Sequence, residues 1–172
     1  MPRLLLLRHA KSDWSTPGLS DHDRPLNARG EDAARRMARW IEKEGLRPDL
    51  ILCSTALRTR MTLAALLPVL GHESEIRLSR RIYDDSDLDY ISFLREEGGD
   101  AKTLMLIAHN PATHDTACEL AIPGSGIGWA ALETKFPTGA LAVLDSPAAA
   151  WPGLLPLSCT LQNFIQPRLL PE

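Results

Sequence analysis

The stretch Leu4-Leu5-Leu6-Leu7-Arg8-His9 decides how the rest of this chain is read. Four consecutive leucines suit a strand buried on both faces, as in a parallel sheet covered by helices. Arg8 and His9 then place a cation and an imidazole at the carboxyl end of that strand. Two further segments repeat the arrangement: Leu50-Ile51-Leu52-Cys53 is followed by Ser54 and Arg58, and Leu104-Met105-Leu106-Ile107-Ala108 by His109. In open α/β sheets, ligands bind beyond the carboxyl ends of the strands. Two arginines and two histidines at three such ends predict convergence on one anion, a phosphate site with a histidine nucleophile.

Between these strands the apolar pattern turns helical. Lys11 to Pro25 is polar, carries Gly and Pro, and reads as a long loop. Asn27 is positioned to cap a helix running to about Glu44 and ended by Gly45. Ala33, Ala34, Met37, Trp40 and Ile41 fall on its apolar face, while Arg35, Arg36, Arg39 and Lys43 form a solvated one. A strand from Asp49 to Cys53 leads to a helix from Thr55 to Leu67, stopped by Pro68. Glu75 to Ser79 is a weaker strand. Ser86 with Asp89 resembles a capping box for a helix that ends at Gly98-Gly99. Thr103 to Ala108 is a strand, and Pro111 suits the first turn of the helix after it. Pro123 to Gly128 reads as a loop, Ala140 to Leu144 as a strand, and Leu157 to Ile165 as an edge strand bracketed by prolines. Repeated β-then-α order predicts an α/β sandwich with a largely parallel central sheet.

Composition narrows the function. A chain of 172 residues, 44% hydrophobic and 24% charged, fits a single globular domain over residues 1–172. A net charge of -3 gives no global attraction to nucleic acid or an anionic membrane, so any anion site must be local. Aromatic residues at 5% are too few for a base-stacking platform, and Trp14, Trp40, Trp129 and Trp151 read as packing or rim residues. Cys53, Cys118 and Cys159 form no C-x-x-C pair, which points to a reducing cytoplasm rather than a disulfide framework or zinc site. The leucine run faintly resembles a signal peptide, but Arg8 and His9 interrupt it early. No stretch approaches transmembrane length. His22, His72 and His114 lack both a strand-end position and a metal-binding spacing, so no metal or other cofactor is expected.

The motifs together resemble those of the histidine phosphatase superfamily, the phosphoglycerate-mutase-like group, and most closely its small SixA-type phosphohistidine phosphatases. They are Arg8-His9-Ala10-Lys11-Ser12, Asp23-Arg24-Pro25-Leu26-Asn27 with Gly30, Ser54 with Arg58 and Thr62, Ala108-His109-Asn110-Pro111, and Phe136-Pro137-Thr138-Gly139-Ala140. The resemblance implies a single three-layer α/β/α domain in which His9 is transiently phosphorylated, Arg8, Arg58 and His109 bind the phosphate, and no metal is needed. Backbone groups after Asn110 and the Ser12 side chain are further candidates for substrate contact; for Ser12 and Lys11 a solvated loop is the alternative, and for Arg24 a loop-anchoring salt bridge.

Two departures stand out. Ala10 occupies the place where the broader superfamily has glycine, which removes backbone freedom but no reacting group. Larger relatives place a glutamate general acid in the segment that here reads Ile82-Tyr83-Asp84-Asp85-Ser86, so Asp84 or Asp85 is the candidate acid. The alternative is that both merely cap the following helix. Only about fifty residues separate Arg58 from His109, leaving little room for cap insertions. An open site favours phosphohistidine on a protein as substrate. The alternatives are small phosphomonoesters or a catalytically silent phosphate-binding module.

Overall fold

The computed structural model describes residues 1–85 and 87–171. The leucine run forms β1, Arg3–Arg8. Because side chains alternate along a strand, Leu4 and Leu6 enter one apolar core and Leu5 and Leu7 another. The runs that form β2, Leu50–Ser54, and β4, Thr103–Ala108, divide in the same way. Leu50, Leu52, Leu104 and Leu106 join the first core, whereas Ile51, Cys53, Met105 and Ile107 join the second.

Helices cover both faces. The second core is closed by Met37, Ala38 and Ile41 of α1, Ala28–Lys43, and by Leu63 and Leu66 of α2, Leu57–Leu66. The first is closed by Ile91, Phe93 and Leu94 of α4, Tyr90–Glu97, by Ala117 and Leu120 of α5, Ala112–Leu120, and by Leu132 of α6, Trp129–Thr134. The remaining elements are β3, Glu75–Ser79, the short α3, Arg81–Asp84, β5, Leu141–Asp145, and β6, Thr160–Ile165. This is the three-layer α/β/α sandwich that the motifs imply. None of the described helices is long and apolar enough to cross a membrane.

The sheet order is β3-β2-β4-β1-β5-β6. The first four strands are parallel, β5 runs antiparallel to β1, and β6 antiparallel to β5. The expected edge position of the last strand is observed. Three carboxyl ends lie side by side at the centre, with Arg8 opposite Ala108 and Cys53 opposite Ile107. The antiparallel β5 brings its amino end to the same place, Leu141 pairing with Leu7.

Local structure departs from expectation at several points. The cap of α4 is Asp89 alone among the described residues, accepting from Ile91 N at 3.0 Å and Ser92 N at 3.3 Å; Ser86 lies outside them. Pro68 sits inside a short 3-10 turn, Leu67–Val69, because that geometry does not need its missing N–H. Neither α3 nor α6 was expected, since each is too short to show a helical period. Asn27 does cap α1, accepting from Gly30 N at 2.9 Å. That first turn packs on the loop after His9: Asn27 N donates to Lys11 O at 3.0 Å, and a Cβ on Gly30 would collide with the same oxygen. A Gly30→Ala substitution is therefore expected to destabilise the fold by about 1–3 kcal/mol, measurable as a lower urea midpoint.

Candidate active site

His9 directly follows β1, and its amide donates to Ala108 O at 3.1 Å, which ties it to the end of β4. Its Nδ1 lies 2.7 Å from the Ala10 carbonyl oxygen. A carbonyl can only accept, so Nδ1 carries the proton and Nε2 keeps its lone pair. The His109 ring lies 5.3 Å away, centroid to centroid. Its Nε2 is 2.8 Å from Ser54 Oγ, and its Nδ1 is 3.4 Å from Arg58 Nη2. Because a guanidinium only donates, the neutral His109 holds its proton on Nε2 and turns an acceptor toward Arg58.

Three guanidinium groups surround the imidazoles. Arg58 is 6% exposed and donates Nη1 to the Asp21 carbonyl at 2.7 Å and Nη2 to Asp21 Oδ2 at 3.1 Å. Arg24 donates Nε and Nη2 to Asp21 Oδ1 at 3.1 and 2.7 Å and Nη1 to Ser12 Oγ at 3.3 Å. Its flat cation stacks 3.3 Å above the exposed Trp14 ring. Arg8 donates Nη1 to the Phe136 carbonyl at 2.8 Å, an oxygen that also accepts from Asn110 Nδ2 at 3.0 Å. The backbone beneath is fixed as well. Gly139 N reaches both Arg8 O and His9 O, at 3.1 and 3.0 Å, from a left-handed φ of 75°. Thr62 Oγ1 accepts from Ala10 N at 3.0 Å and donates to Arg58 O at 2.7 Å.

Arg8, His9, Ser12, Arg24, Arg58, His109 and Asn110 line one cavity of about 370 Å³, to which Lys11, Trp14 and Thr138 also contribute. Arg8 Nε and Arg58 Nε are buried donors without a partner among the described residues. Buried polar atoms of this kind are normally satisfied, and both arginines line this cavity, where a phosphoryl group would bring acceptors and negative charge. Electrostatics agree. Burial, reinforced by the charges of Arg58 and Arg8, holds His9 down at about 4. Burial, then His9 and Arg58, hold His109 down at about 3. Both imidazoles are thus neutral at pH 7, and an anion bound here would offset part of the positive charge and raise both.

The structure brings together Arg8, His9, Ser12, Arg58, His109 and Asn110, as the sequence predicts. It does not place Asp84 or Asp85 among them. Both line an adjoining cavity of about 700 Å³ that shares Arg58, His109 and Asn110 with the first. The Asp84 carboxylate pairs with Arg80, and Asp85 Oδ1 accepts from Asp87 N at 3.1 Å, so neither caps α4. Arg24 anchors its loop by a salt bridge, as one reading foresaw, and also lines the cavity. His22 is bound to Thr55 Oγ1 at 3.1 Å and His114 to the Leu132 carbonyl at 2.7 Å, both structural contacts. Trp151 is core, its Nε1 donating to Ala101 O at 2.8 Å. Sequence reasoning missed Asp21, the carboxylate joining Arg24 to Arg58, and Tyr83, whose hydroxyl donates to Asp21 Oδ2 at 2.9 Å. No local signal separates Asp21 from Asp13 or Asp23; only the fold does.

The depressed histidines have a consequence for stability. Below pH 6.5 the unfolded chain takes up protons that folded His9 and His109 refuse until about 4 and about 3. Stability is therefore complete above 6.5 and falls as pH drops through that window. Urea unfolding at pH 7 and pH 5 should show this loss, with a smaller loss in His9→Gln.

Comparison with known proteins follows the same lines. Residues 4–87 match the profile of the histidine phosphatase superfamily, branch 1. An uncharacterized protein of Mycobacterium tuberculosis is 35% identical over 164 residues, covering 94% of this chain and 100% of that one. The crystal structure of a candidate SixA phosphohistidine phosphatase from Agrobacterium tumefaciens superposes with a TM-score of 0.78 at 32% identity, over 96% of this chain and 99% of that one. Another candidate SixA, from Nakamurella multipartita, gives 0.80 at 30% identity over 96% of each chain. With its fold, its strand-end histidines and these relatives in agreement, the chain belongs to the histidine phosphatase superfamily.

Proposed function

We propose that the protein is a metal-independent phosphatase that works through a phosphohistidine intermediate on His9 and removes phosphate from phosphohistidine on a protein. The observation that carries the reading is the unprotonated His9 Nε2, set by the Nδ1 contact to Ala10 O, inside a cavity with two unpartnered guanidinium donors. In the first step His9 Nε2 attacks phosphorus, a P–N bond to His9 forms, and the bond to the leaving nitrogen breaks. The leaving imidazole keeps the bonding electrons, and a proton already on its ring leaves it neutral. In the second step water attacks the phosphorylated His9, giving inorganic phosphate and restoring the imidazole. Arg8 and Arg58 offset the charge spread over the equatorial oxygens, and His109, once protonated by the anion's influence, donates to one of them.

A phosphohistidine leaving group needs little acid assistance. That suits a site in which Asp84 and Asp85 line only the neighbouring cavity. The second reading is hydrolysis of small phosphomonoesters, where the leaving alkoxide needs a proton and Asp84 or Asp85 would supply it. A silent binding module is disfavoured, because binding alone has no use for the free Nε2 lone pair.

Incubation with a phosphohistidine peptide followed by rapid quenching should trap acid-labile phosphate on the wild type and none on His9→Ala. The same variant should lose at least about 1,000-fold in kcat. Equal labelling in both would sink the covalent mechanism. Turnover should survive a chelator, and Asp84→Asn with Asp85→Asn should slow a phosphomonoester more than a phosphoramidate.

A further inference from the structure

The cavity of about 700 Å³ beside the phosphoryl pocket carries an unusual charge for a protein that handles anions. Asp85, Asp87, Asp115 and Glu119 line it, and none of them has an ion-pair partner among the described residues. All four are exposed. Asp115 and Glu119 are four residues apart on α5, so both project from one helix face. Asp21, Asp84 and Asp89 add carboxylates that are already engaged, with the arginines of the site, with Arg80 and with the start of α4. Among the described residues, Arg58 is the one arginine or lysine on this lining, and with His109 it lies at the junction with the phosphoryl pocket.

A metal does not explain the cluster, for no three of these carboxylates approach closely enough to hold one among the described residues. Two unpartnered groups at the junction point instead to a bound molecule. Arg58 is more than nine-tenths buried and its Nε lacks a partner, which asks for an anion. Asn110 lines both cavities, and its Nδ2 is committed to the Phe136 carbonyl. Its Oδ1, also buried and unpartnered, therefore asks for a donor. One molecule meets both demands if its phosphoryl group sits at Arg58 and the part beyond the breaking bond carries N–H donors and positive charge.

From this we infer that the acidic cavity is the docking groove for a lysine- or arginine-bearing segment next to the phosphohistidine of a protein substrate. The inference rests on the reading given under Proposed function and extends it to the surroundings of the phosphorylated residue. Carboxylates on this wall repel a substrate that carries further negative charge and attract a basic one, and the effect weakens with salt because the wall is exposed. Selection is thus made on the leaving-group side, while the arginines treat every phosphoryl group alike.

Two phosphohistidine peptides differing only in lysine or glutamate flanks test the idea, alongside phosphoethanolamine and 3-phosphoglycerate as small probes of opposite charge. At low salt the lysine peptide should have a kcat/KM at least about tenfold above the glutamate peptide, shrinking at high salt. The triple variant Asp87→Asn, Asp115→Asn, Glu119→Gln should erase the preference while leaving phosphoramidate turnover unchanged, which also shows that it folds. If the wild type hydrolyses both peptides equally, the groove inference is overturned and the phosphohistidine reading stands. If both peptides are refused but phosphoethanolamine outpaces 3-phosphoglycerate, the groove selects positive charge yet the protein-substrate reading fails. Turnover of none of the four overturns both.

Discussion

Three guanidinium groups share one small cavity at the end of the sheet, and the molecule must keep them charged, apart and aimed while that cavity is open. Like charges repel, and burial alone lowers the basicity of Arg8. The solution uses one carboxylate and two carbonyls. Asp21 takes four hydrogen bonds from Arg24 and Arg58 through its side chain and backbone, and Phe136 O takes Arg8. The terminal nitrogens of Arg58 are thereby committed to the protein, and its Nε is left without a partner among the described residues. Such prior ordering means that binding an anion requires little rearrangement, the condition under which fixed charges are most effective.

The same economy explains the neutral imidazoles. Buried, and with positive charge already present, His9 and His109 do better without protons, and the Ala10 carbonyl decides which nitrogen of His9 remains bare. In the mechanism proposed for His9, the nucleophile would arise from burial and the arrangement of charge rather than from a dedicated base. The arrangement works only because β4 lies between β1 and β2, so that Ser54, His9 and His109 arise from adjacent strand ends.

Much of this was legible in sequence, and the illegible parts share a physical cause. Unbroken apolar runs announced β1, β2 and β4 because both faces of each are covered, and cationic or imidazole residues straight after them announced the site. The Asn27 cap and the proline-bracketed edge strand were equally plain. Backbone acceptors such as Phe136 O and Ala10 O carry no residue-type signature, although the segment Phe136 to Ala140 was recognised as a motif. Asp21 lay hidden in a loop of similar acids, and α3 and α6 are too short for periodicity to register. The acidic groove joins residues from four separate segments, so only the folded chain assembles it.

Strand direction sorts the connections of this protein into two populations. Those that leave β1, β2, β3 and β4 begin at the cavity end of the sheet, and the last of them also finishes there as it enters β5, whereas the stretch between β5 and β6 turns at the opposite rim. Because β5 arrives at His9 rather than departing from it, extra residues between α6 and β5 would disturb the Phe136 carbonyl and the Gly139 turn. Extra residues after Asp145 would lie a full strand length away. Distance from the cavity does not make the far rim free, however: Ser146, Trp151 and Leu154 of the stretch after Asp145 are buried, so a change of length there acts on the core, whereas one at the near rim acts on the shape of the cavity.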